Sequence, residues 1–93
     1  MQLTWTKDEL ERLDANIDFY NQVMENGQKI ECYRYAKDLI EGKVQHLDKA
    51  LCEKMIEQIE DTHELYDLFG IDMEEEKGKY FQLFKNACRE ENR

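Results

Sequence analysis

A chain of 93 residues makes one helical domain, 1–93, with a single modest core that buries roughly 60–65% of the unfolded surface. Charged residues make up 38% of the chain against a usual ~25%, while the apolar share of 41% is ordinary. The net charge of −9 disfavours direct binding of DNA or RNA and of anionic membrane surfaces, and suits a protein partner whose own surface is basic.

Proline is absent, glycine occurs only at 27, 42, 70 and 78, and no stretch alternates polar and apolar residues. These features predict an all-α fold, a compact antiparallel bundle of about four helices joined by short connections. Thr6 and Glu9 have the spacing of a capping box that opens the first helix, with Trp5 and Leu10 at the flanking staple positions. Leu10, Leu13, Ile17, Tyr20 and Met24 form its apolar stripe, widened by Phe19 and Val23, and Gly27 after Asn26 is its expected end.

A second helical stretch begins near Gln28 and carries Ile30, Tyr33, Ala36, Leu39 and Ile40. Ile40, Val44, Leu47 and Leu51 could run straight across Gly42. The next stripe, Cys52, Ile56, Ile59 and Tyr66, is out of phase by one position. A break between Gly42 and Asp48 explains the slip, with Asp48 as N-cap and Leu47 and Cys52 as staple partners. Gly70 ends the third helix, where Ile71 can fold back on Tyr66. Asp72 and Glu75 form a second candidate capping box, opening a last helix with Met73, Tyr80, Phe84 and Ala87 on one face and a weakening Gly78 within it.

Charge is distributed unevenly. Between Lys54 and Lys77 there are nine carboxylates and no Lys or Arg. Asp72, Glu74, Glu75 and Glu76 fit the first turn of a helix, where the dipole favours them. Glu57, Glu60, Asp61, Glu64 and Asp67 have no such reward. In a continuous helix they crowd one face, and the pairs 57–61 and 60–64 oppose it by ~0.2–0.5 kcal/mol each. If the helix restarts at Asp61 or Thr62, Glu57 and Glu60 sit at a negative C-terminus, which is also unfavourable. Such a face is either simply solvated or kept for recognition of a basic surface. Glu11, Asp14, Asp18 and Glu25 add a second acidic stripe on the first helix, whereas residues 77–93 hold five basic residues against two acidic ones. The segregation suits an asymmetric binding face or pairing between helices.

Glu60 and His63 have the Glu-x-x-His spacing of di-iron bundles, but the second pair such a site needs is missing. Surface histidine is the plainer reading of His63; with Asp67 beside it the group could hold adventitious zinc and little more. Cys32, Cys52 and Cys88 show no zinc-finger spacing. Cys52 and Cys88 fall on or beside apolar stripes, leaving Cys32 as the expected exposed thiol. Scattered, odd-numbered thiols with no export-type segment before Thr4 read as a reduced, cytoplasmic setting. No phosphate loop, nucleophile elbow or calcium loop is present, so no cofactor, metal or catalytic residue is implied.

The leading expectation is a non-enzymatic acidic protein that docks on a basic surface of a nucleic-acid-handling enzyme and blocks its nucleic-acid site. Glu57, Glu60, Asp61, Glu64 and Asp67 would stand in for phosphates, helped by Glu11, Asp14 and Asp18. In size, acidity and lack of catalytic motifs the chain resembles phage-encoded inhibitors of host defence, such as anti-restriction and anti-CRISPR proteins, a resemblance of composition. The alternative is a structural or adaptor bundle whose apolar and aromatic surfaces bind another helical chain or a second copy, as a homodimer. An enzyme or metalloprotein built on Glu60, His63 and Asp67 ranks third.

Overall fold

Thr6 opens the first helix as its spacing demands: its hydroxyl accepts from the Glu9 N–H at 3.1 Å, and the Glu9 carboxylate accepts from the Thr6 N–H at 2.9 Å. In the computed structural model, which describes residues 4–21, 24–25 and 28–89, the chain then forms α1 (Lys7–Tyr20), α2 (Cys32–Glu41), α3 (Lys49–Leu68) and α4 (Glu74–Ala87). The fold is all-α. Two pairs of two-residue strands accompany the helices: β1 (Met24–Glu25) with β2 (Gln28–Lys29), antiparallel, and β3 (Leu47–Asp48) with β4 (Cys88–Arg89), parallel.

The break between the second and third helices falls where the phase slip puts it. Gly42 takes a left-handed φ of 81°, and the Lys43 N–H reaches back to the Asp38 carbonyl at 2.9 Å. Asp48 caps α3, its carboxylate accepting from the Leu51 N–H at 2.8 Å. The other end of α3 closes in the same way. Gly70 has φ 76°, its N–H bonds to the Asp67 carbonyl at 3.0 Å, and the Ile71 N–H bonds to the Tyr66 carbonyl at 2.8 Å.

Several expectations need correction. The first helix stops at Tyr20, so Met24 lies in β1 rather than on its stripe, and the second starts at Cys32, four residues later than its apolar spacing suggests. Trp5 packs at a tilt of 48° against Tyr80 of α4, at 5.1 Å between ring centroids, and Leu10 stays at the surface rather than in the core. Asp72 accepts only from the Glu74 N–H, and α4 starts without a reciprocal capping box. Asn26, Gly27 and Val23 lie outside the described residues.

Around an aromatic centre the four helices close their core. Tyr33 stacks on Tyr20 (5.7 Å) and meets Tyr80 edge-on (5.6 Å), with Leu13, Met55, Ile59 and Phe84 fully buried around them. Cys32 is also fully buried, and Cys88 is the more exposed thiol, which reverses the expectation for these two. Ion pairs tie α1 to its neighbours: Arg12 to Glu76 at 2.8 Å, Lys79 to Glu9 at 2.8 Å, and Lys37 to Asp14 at 2.8 Å.

Candidate functional site

With both ends capped, α3 runs unbroken for 20 residues, about 30 Å. Its inward face takes Cys52, Met55, Gln58, Ile59, Thr62 and His63 into the core. The period of the helix therefore turns Glu57, Glu60, Asp61, Glu64 and Asp67 outward, and all five are exposed. Glu53 extends the same face towards the N-terminal end. Among the described residues, no ion pair or hydrogen bond neutralises any of the five carboxylates. They occupy one continuous helix, so the i,i+4 repulsions are all in force, and Asp67 also faces the negative end of the helix dipole.

The first helix contributes less. Glu11, Asp14 and Asp18 are exposed on the side away from buried Leu13 and Tyr20, but Asp14 is bridged to Lys37 of α2. The one side-chain hydrogen bond described between α1 and α3 runs from the Tyr66 hydroxyl to Asn16 at 3.3 Å. The eight expected recognition residues thus divide into a dense set of five on α3 and a looser set of three on α1. Of the three first-turn acids on α4, Glu74, Glu75 and Glu76, the last is withdrawn from solvent, and Asp72 lies just before the helix. Glu76 sits buried against Arg12, which holds the guanidinium more firmly protonated.

His63 belongs to the core rather than the surface. It is 3% exposed, and its Nδ1 lies 3.1 Å from the Ile59 carbonyl and 3.3 Å from the Tyr33 hydroxyl. A carbonyl can only accept, so Nδ1 carries the proton. Thr62 donates to the Gln58 carbonyl at 2.9 Å and lies 2.8 Å from the Tyr33 hydroxyl, which leaves Tyr33 as the donor to Thr62. Gln58 links the same helix to the start of α2, accepting from the Glu31 and Cys32 N–H groups and donating to the Lys29 carbonyl. Burial pushes the His63 pKa below its ordinary value, so the ring is neutral at pH 7.

This placement separates His63 from exposed Glu60 and Asp67, and the three do not form a ligand set. Among the described residues, no group of three or more His, Cys, Asp or Glu side chains is arranged to hold a metal ion. Cys52 donates to the Phe84 carbonyl at 2.8 Å, and burial pushes its thiol up to about 12, far from a thiolate nucleophile at neutral pH. Among the described residues, no helix is long and apolar enough to cross a membrane.

One surface feature escaped the sequence pattern. Leu65, Leu68, Phe69 and Ile71 cluster at the end of α3 and in its connection to α4, and all four are exposed. Their signal lay in phase: Leu65 and Leu68 fall outside the stripe of Ile59 and Tyr66. No family model matches the chain, and no curated protein or solved structure matches it either.

Proposed function

We propose that this protein is a small, non-enzymatic inhibitor that docks its α3 carboxylate face on a basic surface of a nucleic-acid-handling enzyme and so occupies the nucleic-acid site. The observation that carries the reading is the run Glu57, Glu60, Asp61, Glu64 and Asp67, exposed along one helix with no described ion pair. Five charges over ten helical steps span about 15 Å, or roughly one per 3–4 Å. A nucleic-acid strand carries about one per 3.4 Å of helix axis, so the linear charge densities agree in order of magnitude. The setting that fits is a reducing cytoplasm, where three free thiols persist, and the functional class is that of phage anti-restriction and anti-CRISPR proteins.

The test is capture from a host lysate by wild type and by a variant carrying Glu57, Glu60, Glu64→Gln and Asp61, Asp67→Asn. Capture of a nucleic-acid enzyme by wild type alone, with displacement of that enzyme's nucleic acid, supports the reading. Equal capture by both proteins removes it. A second reading, an adaptor that binds another helical chain or itself through apolar contacts, is favoured by exposed Leu68 and Phe69. Such association persists at high salt, whereas charge mimicry weakens steeply.

A further inference from the structure

The connection between α3 and α4 leaves apolar area in water that the fold itself does not use. Leu68 and Phe69 are each 79% exposed, Ile71 46% and Leu65 38%. The left-handed turn at Gly70 accounts for Ile71, because an apolar residue at that position commonly packs back on the last helical turn. It does not account for Leu68 or Phe69. The Phe69 backbone, at φ −90° and ψ 5°, asks for no aromatic side chain, and Lys or Arg there would be favoured by the helix dipole. Large apolar residues that are exposed together, rather than singly, mark an interaction surface. Glu64, Asp67 and Asp72 border this knuckle along the chain, and all are exposed.

From this juxtaposition we infer that the α3–α4 knuckle receives a basic amphipathic helix of a protein partner. The partner's apolar stripe sits on Leu65, Leu68, Phe69 and Ile71, and its Lys and Arg side chains face Glu60, Glu64 and Asp67. The inference rests on the acidic-face reading above and specifies the element that face recognises. Charge selects this occupant. A second copy would bring the same carboxylate rim against itself, and the rim would repel an anionic lipid surface. A helix with one apolar and one basic stripe satisfies both halves of the surface. The apolar seat supplies affinity, since a few large buried side chains dominate binding, while the carboxylates set orientation and encounter rate.

The test uses the full chain and two synthetic peptides of about 18 residues with the same Leu and Lys content. In one, the leucines recur at helical spacing to form a stripe. In the other, the order is scrambled so that none forms. Binding is read by fluorescence anisotropy. The striped peptide should bind wild type at least ~10-fold tighter than the scrambled one, and joint Leu68→Ser and Phe69→Ser should erase that margin while leaving weak, charge-driven binding of both. Both positions are exposed, so the variant should melt with wild type. Equal binding of the two peptides by wild type, or a margin that survives the serine pair, overturns the inference and leaves the acidic-face reading intact. If the neutralised carboxylate variant bound both peptides as wild type does, the acidic-face reading itself would fall. A dimer in analytical ultracentrifugation, or binding to phosphatidylcholine vesicles, that the serine pair abolishes would replace the basic helix by a second copy or a lipid.

Discussion

The Tyr80 ring packs against those of Trp5, Tyr33 and His63, and its buried hydroxyl has no hydrogen-bond partner among the described residues. A buried hydroxyl left unpaired costs on the order of 1–3 kcal/mol, while the ring contacts do not need the oxygen. Tyr80→Phe should therefore stabilise the protein by about 1 kcal/mol in urea unfolding; a destabilised variant would show the hydroxyl to be engaged. His63 supplies the second residue-level prediction. Burial lowers its pKa, with Lys77 acting in the same direction and the Ile59 carbonyl, Glu76 and Asp67 opposing. The folded state thus binds fewer protons than the unfolded one, and the stability tied to neutral His63 is complete above the unfolded pKa near 6.5. It is lost as pH falls below that value. For Glu9, burial pushes the carboxyl up, but Lys79 and the Thr6 N–H outweigh it, so its net shift is down from 4.5 and its loss begins at lower pH. Melting temperature should fall between pH 7.5 and pH 5.5 in wild type and stay flat in His63→Gln. Equal wild-type stability at the two values would contradict the neutral, buried ring.

At the scale of elements, the acidic face of α3 is a strain that its own helix carries. The pairs Glu53–Glu57, Glu57–Asp61 and Glu60–Glu64 each place like charges one turn apart, and Asp67 adds a charge at the wrong end of the dipole. Replacing Glu57, Glu60 and Glu64 by Gln with Asp61 and Asp67 by Asn should stabilise the isolated protein by about 1 kcal/mol at low salt. A neutral or negative effect, measured by urea unfolding, would mean that the carboxylates have favourable partners after all. The end of α2 and both boundaries of α3 were legible because caps are local chemistry: Gly42, Asp48 and Gly70 each act through hydrogen bonds within a few residues. The outward face followed from the same periodicity. The early stop at Tyr20 and the late start at Cys32 were not legible, because apolar spacing continues through both and the β1–β2 pairing depends on tertiary placement. Nor were buried Gln58, Thr62 and His63 visible as core. Their side chains are polar, and what takes them into the core is a set of hydrogen bonds with Tyr33, the start of α2 and the carbonyls of α3 itself.

For the whole molecule, segregated charge should make stability and the proposed binding respond to salt in opposite directions. A net charge of −9 opposes the compact state through self-repulsion, and the repulsion is concentrated where α3 presents five carboxylates that no described ion pair neutralises. Added salt screens exposed charges over about 10 Å at 0.1 M, so it should raise the melting temperature of the free protein. The paired charges behave differently, because Glu76 and Glu9 are buried against Arg12 and Lys79 and are screened much less. The net effect on the free chain is thus set by the acidic face. Docking on a basic surface reverses the sign: the repulsion becomes attraction, and salt then weakens what it had stabilised. Melting curves of the free protein and affinities for a basic partner or the striped peptide, both followed from low to high salt, should show this crossing. The carboxylate-neutralised variant should flatten both trends together, since one set of residues governs both. A variant that flattened the stability trend while leaving binding equally salt-sensitive would place the recognition charge elsewhere, first on Glu11 and Asp18 of α1, which are exposed on a separate stripe.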